Sequence, residues 1–360
     1  MNNTLINPSI PELMQLHFDP KWGAPFWLDR RGSLGFDPRR EVMSEGDLFR
    51  FGPFPEEEIR HGPSLRFVPR RFHEEVCNLV LSETGGATGH PKRVYFSQDE
   101  FRAGFIDPFV LVAKQLGWPT GARWLFVGPT GPHIIGQVLD PICRELGSPP
   151  PFRVDFDPRW ARKLVEGSVA RERYLEHIVA QAMDILEREE VGVLFATPPT
   201  LKRLAERMTD EARAQVRGVH YGGTAVSPEE RRAFEEEAFP KAVHLSGYGN
   251  SLVGVAFEAD PRREGPLRYY PSAPRHRLRV VALEGGSREE RLRAAVPPGE
   301  SGQVVVSRLD RTCFIPNLFE RDRAEPVAPS EAAKALGWDF PGIHNPHPLS
   351  LGDSAPSGLY

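Results

Sequence analysis

Apolar and polar positions along this chain fall into two textures. Across residues 76–254, short apolar runs alternate with stretches whose apolar residues recur at helical spacing. The runs VCNLVLS (76–82), RVYFS (93–97), RWLFVGP (123–129), VGVLFATPP (191–199), VRGVHYGG (216–223) and AVHLSGYGNS (242–251) are bounded by turn formers and predict strands. Between them, residues 97–118, 134–146, 173–189 and 200–208 predict helices, with Ser97 capping the first and Pro141 interrupting the second. The stretch SPEERRAFEEEAF (227–239) carries a full start signal: Ser227 as N-cap, Pro228 at the first helical position, and Glu230 closing a capping box. Strands and helices alternating in this way imply an α/β fold with largely buried sheets.

Beyond Val255 the pattern changes. LRYYPSA, HRLRVVALE and GQVVVSRL again read as strands, but only turns such as EGGS and PPGESG separate them. They predict a small antiparallel β subdomain. The expected organisation is therefore an N-terminal lead-in region of the core (1–75), an α/β core with layered sheets (76–254), a small β subdomain (255–322), and a tail (323–360). Its Pro and Gly content predicts loose structure for the tail, apart from SEAAKALGW.

Composition narrows the class. The chain has 360 residues, 40% hydrophobic and 26% charged, which is enough for a sizeable core. A formal net charge of -4 gives no electrostatic footprint for nucleic acid. Cys77, Cys143 and Cys313 are too few and too widely spaced for a disulfide framework or a zinc site. The start, MNNTLINPSIPELMQL, lacks the basic and apolar regions of a signal peptide, and no run approaches the roughly 18 apolar residues of a membrane span. A cytoplasmic location away from membranes is expected.

The stretch LSETGGATGHPKRVYFS carries the first candidate chemistry. Consecutive glycine amides can converge on an anion because no Cβ blocks the approach. Threonine hydroxyls add donors, and Lys92 adds a mobile positive charge. It lacks the G-K-[ST] ending of a Walker A loop, so a polar hairpin turn is the competing reading. Two further Gly-rich stretches, YGGTAVSPEE and SGYGNS, follow predicted strands, and strand ends in α/β sheets are where ligands bind.

Together these stretches resemble the acyl-adenylate-forming (AMP-binding) superfamily, within it the phenylacetate–CoA ligase-like branch. TGGATGHPK is similar to its phosphate loop, ATPPTLKRLAE to the entry of its substrate-pocket helix, and GGTAVSPEE to its adenine-site loop. GESGQVVVS is similar to the turn before the last core strands, and LGFDPRREVMSEGDLFRFGPF to the branch's lead-in. The resemblance implies ATP-dependent activation of an aryl or acyl carboxylic acid, with ATP and Mg²⁺ as cofactors and CoA as a co-substrate. Gly86, Thr88, Gly89 and Lys92 would contact the phosphates, and Gly222, Gly223 and Thr224 would border adenine. Tyr248, followed by Gly249, would stack on the base, with Ser251 at the α-phosphate. The ribose ligand would be Asp322 in FERD, or else Asp353 in LSLGDSA. Residues 128–137, including His133 and Gly136, would line the substrate pocket with Tyr221 and Ser246. His133 is either a carboxylate-orienting group or a hydrogen-bonded structural histidine.

Two departures stand out. The family's Mg²⁺-holding glutamate is replaced by Leu252, which offers no hard oxygen; Glu258 is either a substitute metal ligand or a solvated strand-edge acid. The family also continues into a mobile lid carrying a lysine, and no lid domain is expected in a chain that ends at Tyr360. An amine, a carrier protein or a protein thiol would then be alternative acceptors, with Cys313 the thiol to weigh against an inert buried one. A non-catalytic nucleotide- or acyl-binding homologue is the competing class. A homodimer is the expected assembly.

Overall fold

The computed structural model describes residues 8–84, 90–223, 226–260, 267–272 and 275–349. Strands β1 (Val80–Glu83) and β2 (Arg93–Phe96) pair as an antiparallel hairpin. The chain then alternates: β3 (Trp124–Gly128), β4 (Phe152–Asp155), β5 (Val193–Ala196), β6 (Gly218–Gly222) and β7 (Val243–Asn250) follow, with helices between them. The antiparallel strands β8 (Gly254–Phe257), β9 (Arg268–Pro271), β10 (His276–Val281), β11 (Gly302–Leu309), β12 (Phe314–Val327) and β13 (Gly342–Pro348) complete the set. Among the described residues, eleven strands form one sheet in the order β10-β11-β12-β13-β9-β8-β7-β6-β5-β3-β4. Only β4, β3, β5, β6 and β7 pair in parallel, so the antiparallel strands join the parallel ones edge to edge through β8.

The central strands are buried on both faces, which explains their unbroken apolar runs. On β3, Trp124 and Phe126 enter one core while Leu125 and Val127 enter the other; Phe195 and Leu194 divide likewise on β5. The helix Val169–Arg188 covers the second face with Ile178, Val179 and Ala182. The segment 8–70 packs onto β12. There the indole of Trp27 donates to the Phe314 carbonyl at 3.1 Å, and the side-chain amide of Asn317 donates to the Leu48 carbonyl at 2.7 Å.

Several local expectations need correction. Residues 70–78 form a 3-10 helix, and the first strand begins only at Val80. The helix after Ser97 starts with the expected N-cap, to which Glu100 adds a capping box, but passes through a π segment at Arg102–Ile106. Gly104 lies there, and a Cβ on it would come within 2.7 Å of the Arg275 guanidinium. The helix Ile134–Glu145 runs through Pro141 without a break. The tail is built into the fold as far as residue 349: β12 extends to Val327, the helix Glu331–Ala335 follows, and β13 pairs with both β12 and β9. No helix of the described residues is long and apolar enough to cross a membrane.

Candidate active site

The carboxyl ends of β5, β6 and β7, the β1–β2 hairpin, the helix Ile134–Glu145 and strand β12 surround a cavity of about 280 Å³. This is the ligand-binding end of a parallel sheet. The mouth is polar, with Thr84, Lys92, Ser251 and Glu320; the interior is apolar, with Phe105, Phe109, Val138 and Ile142. Of the residues that the sequence singles out, Lys92, His133, Gly222, Gly223, Gly249 and Ser251 line this one space. Gly86, Thr88, Gly89, Thr224 and Asp353 lie outside the described residues.

The neck of the Gly-rich loop is closed by reciprocal bonds. The Thr84 amide donates to the Lys92 carbonyl, and the Lys92 amide donates to Thr84 Oγ1, both at 3.0 Å. The Lys92 side chain lies against the helix Glu56–His61, with Nζ 2.7 Å from Glu56 Oε1. Burial resists the Glu56 charge, but the Lys92 ammonium outweighs it and holds the carboxyl below its usual range. Gly223 closes the adjoining wall at φ +81°, a left-handed conformation that glycine reaches without strain.

Asn250 and Glu320 line the opposite wall, and the Asn250 amide donates to Glu320, whereas the expected Tyr248 and Asp322 are not among the lining residues. Beside that wall, Tyr248 Oη donates to Asp322 Oδ2 at 2.8 Å. Glu320 and Asp322 stand two apart on β12. Burial and the Asp322 charge push Glu320 up to about 7, and burial also raises Asp322. The Tyr248 phenol is raised as well, first by burial and then by these carboxylates.

Other expected site residues are placed elsewhere. Tyr221 points to the opposite face of β6, buried against Phe234 and His244, so β6 gives His220 to the cavity instead. Gly136 does not line the cavity; a Cβ there would come within 2.8 Å of Thr130 Cα, so glycine serves the close approach of helix and loop. His133 both lines the cavity and caps the helix Ile134–Glu145, its Nδ1 accepting from the Ile135 amide at 3.3 Å. Burial, reinforced by Arg159 and Arg162, lowers it to about 4, which keeps the ring neutral.

The Mg²⁺ expectation does not fit the residues present. Leu252 is fully buried in the apolar core. Glu258, also buried and away from the cavity lining, accepts the Ser246 amide at 2.9 Å, while Ser246 Oγ bonds the Tyr269 hydroxyl at 2.7 Å. Glu258 and Ser246 thus form a buried cluster beneath the site. Among the described residues no group of three His, Cys, Asp or Glu could hold a metal ion. Cys313 is fully buried, and burial pushes its thiol up to about 12.

A buried ionic lattice behind the site escaped the sequence reading. Asp310 accepts from Arg275 Nε and Arg308 Nε, each at 2.5 Å, and all three are at most 1% exposed. The two guanidinium groups reach on to the turn between β7 and β8. There Arg308 donates to the Leu252 carbonyl at 3.2 Å and Arg275 to the Val253 carbonyl at 3.3 Å. Ser82 Oγ donates to the neighbouring Ser251 carbonyl at 2.6 Å. Arg308 also donates to the Tyr95 carbonyl at 2.8 Å and stacks 3.4 Å over the Phe96 ring. Hairpin and turn are thereby locked to one support.

No protein-family model and no curated protein matches the chain. Solved structures do. A 2-hydroxyisobutyryl-CoA ligase in an open conformation, in complex with 2-HIB-AMP and CoA, aligns with 92% of this chain and 71% of its own at 16% identity, TM-score 0.64. The same ligase in the postadenylation state with R3-HIB-AMP aligns with 93% of this chain and 65% of its own at 15% identity, TM-score 0.66. The chain spans about two thirds of those ligases' length, and over that span it has their fold.

Proposed function

We propose that this protein activates a carboxylic acid with an apolar tail by adenylation, in the manner of phenylacetate–CoA ligases, and passes the acyl group to CoA. One observation carries this reading. Lys92, the Gly222–Gly223 wall and Ser251 border a single cavity whose interior is apolar and whose mouth is charged. A carboxylate oxygen of the acid attacks the α-phosphorus of ATP and pyrophosphate leaves. The CoA sulfur then attacks the acyl carbon, AMP leaves, and the thiol proton passes to water. Positioning and charge stabilisation dominate such a step. Lys92 exchanges Glu56 for a phosphate oxygen, and Gly222 and Gly223 border the base. Asp322 exchanges the Tyr248 hydroxyl for those of the ribose, and Tyr248 packs on the adenine.

Isotope exchange between pyrophosphate and ATP, run over a panel of aryl and aliphatic acids, tests the reading. Exchange that depends on one acid class is expected; a panel without exchange, from protein that also fails to bind ATP, overturns it. A second reading, nucleotide binding without turnover, is favoured by one observation: the burial of Leu252 where a metal ligand would stand. Calorimetric ATP binding with no acyl-AMP in any incubation supports that alternative.

A further inference from the structure

His220 is the polar group on the apolar wall of the cavity. Its ring packs edge-on against Phe195 at 4.3 Å and Phe109 at 5.0 Å between centroids, with Phe257 at 6.2 Å. All three phenylalanines also line the cavity. Nδ1 lies 2.8 Å from the Leu245 carbonyl on β7, and a carbonyl only accepts, so Nδ1 carries the proton. Burial lowers the imidazole to about 4, so the ring is neutral near pH 7 and Nε2 keeps its lone pair. Among the described residues no bond to Nε2 is found, and His220 lines the cavity. His220 stands two residues before Gly222, about 7 Å deeper along the strand at the usual rise.

We infer that His220 selects acids whose apolar tail carries a hydroxyl remote from the carboxylate, Nε2 accepting the hydrogen bond from that hydroxyl. The inference rests on the proposed acid-binding role of the same cavity. An apolar tail fills the phenylalanine-lined space but leaves Nε2 without a donor, whereas a hydroxylated tail fills the space and satisfies both partners. A cationic donor fits less well, because an ammonium would surrender its water among aromatic rings with no carboxylate beside it.

Two matched pairs test the assignment: 4-hydroxyphenylacetate against phenylacetate, and 6-hydroxyhexanoate against hexanoate. Calorimetry in the presence of AMP reads binding without chemistry. The hydroxylated member of at least one pair is expected to bind about 10- to 100-fold more tightly, the range for a buried polar group gaining or losing its partner. His220→Phe removes the acceptor and abolishes the preference, while His220→Gln, whose amide oxygen accepts, restores part of it. Should His220→Phe fail to fold by circular dichroism, His220→Leu takes its place. No preference in the wild type, no binding of any acid, or a preference that survives loss of the acceptor overturns the inference. Pyrophosphate exchange on the same acids separates the two proposals. Exchange without hydroxyl preference defeats the selectivity and leaves activation standing; a binding preference without exchange, from protein that still binds ATP, leaves the selectivity standing and favours binding without turnover.

Discussion

Two clusters of charge lie within a few strands of each other and are built on opposite principles. Behind the site, Asp310 is gripped by Arg275 and Arg308; burial works against its charge, yet the two cations hold the carboxyl below its usual range. Glu320 at the mouth and Asp322 beside it on β12 have an amide and a phenol as direct partners, and both are raised. The first cluster is fixed charge that holds backbone carbonyls in place. The second is titratable charge that a ligand can still rearrange. Partner chemistry, rather than burial alone, divides scaffold from site.

Breaking the fixed cluster has the largest expected effect. Asp310→Ala leaves two buried guanidinium groups without their carboxylate and is expected to cost about 3–5 kcal/mol in chemical denaturation. It should also weaken ligand binding, because the carbonyls of Leu252 and Val253 lose their donors' support. Next comes Lys92→Met, expected to lower the exchange rate by about 10²–10³-fold, the scale for losing one charge-stabilising donor. Its ion pair with Glu56 is partly exposed, so stability should change by less than about 1 kcal/mol.

The two clusters should also have opposite pH slopes. Asp310 is lowered from 3.8, so the stability it contributes is present above that value and lost as pH falls further. Glu320 is raised from 4.5 to about 7. Across that window the folded chain keeps a proton that the unfolded chain has released, so stability falls as pH rises through it. Glu320→Gln should flatten this limb and gain up to about 3 kcal/mol above pH 7, read from denaturation curves at several pH values. Its ATP affinity should vary less with pH than that of the wild type. The smallest effect is reserved for Cys313→Ala: acyl transfer should be unchanged, since a buried thiol at about 12 is no nucleophile. Loss of transfer in mass spectrometry would restore the protein-thiol acceptor.

What the sequence made legible was local. The N-cap at Ser97 and the capping box at Ser227 mark helix starts because their signal spans only four residues. The Gly222–Gly223 turn was equally plain. Tyr221 was mistaken for a pocket residue because β6 is apolar on both faces, so alternation could not say which side holds the cavity. Strand β4 follows three prolines, and β13 contains Pro346 and a left-handed Asn345; both features read as loop until tertiary pairing overrides them. The Arg275–Asp310–Arg308 lattice joins residues tens of positions apart to Glu100 and the hairpin, and no spacing rule encodes it.

The seam between residues 8–70 and β12 carries its own lesson. Trp27 and Leu48 are tied to the strand that presents Glu320 and Asp322. Trimming the chain to its α/β alternation would therefore unpin one jaw of the binding cleft, and shortened versions designed for expression should fold poorly around nucleotide even with every glycine loop intact.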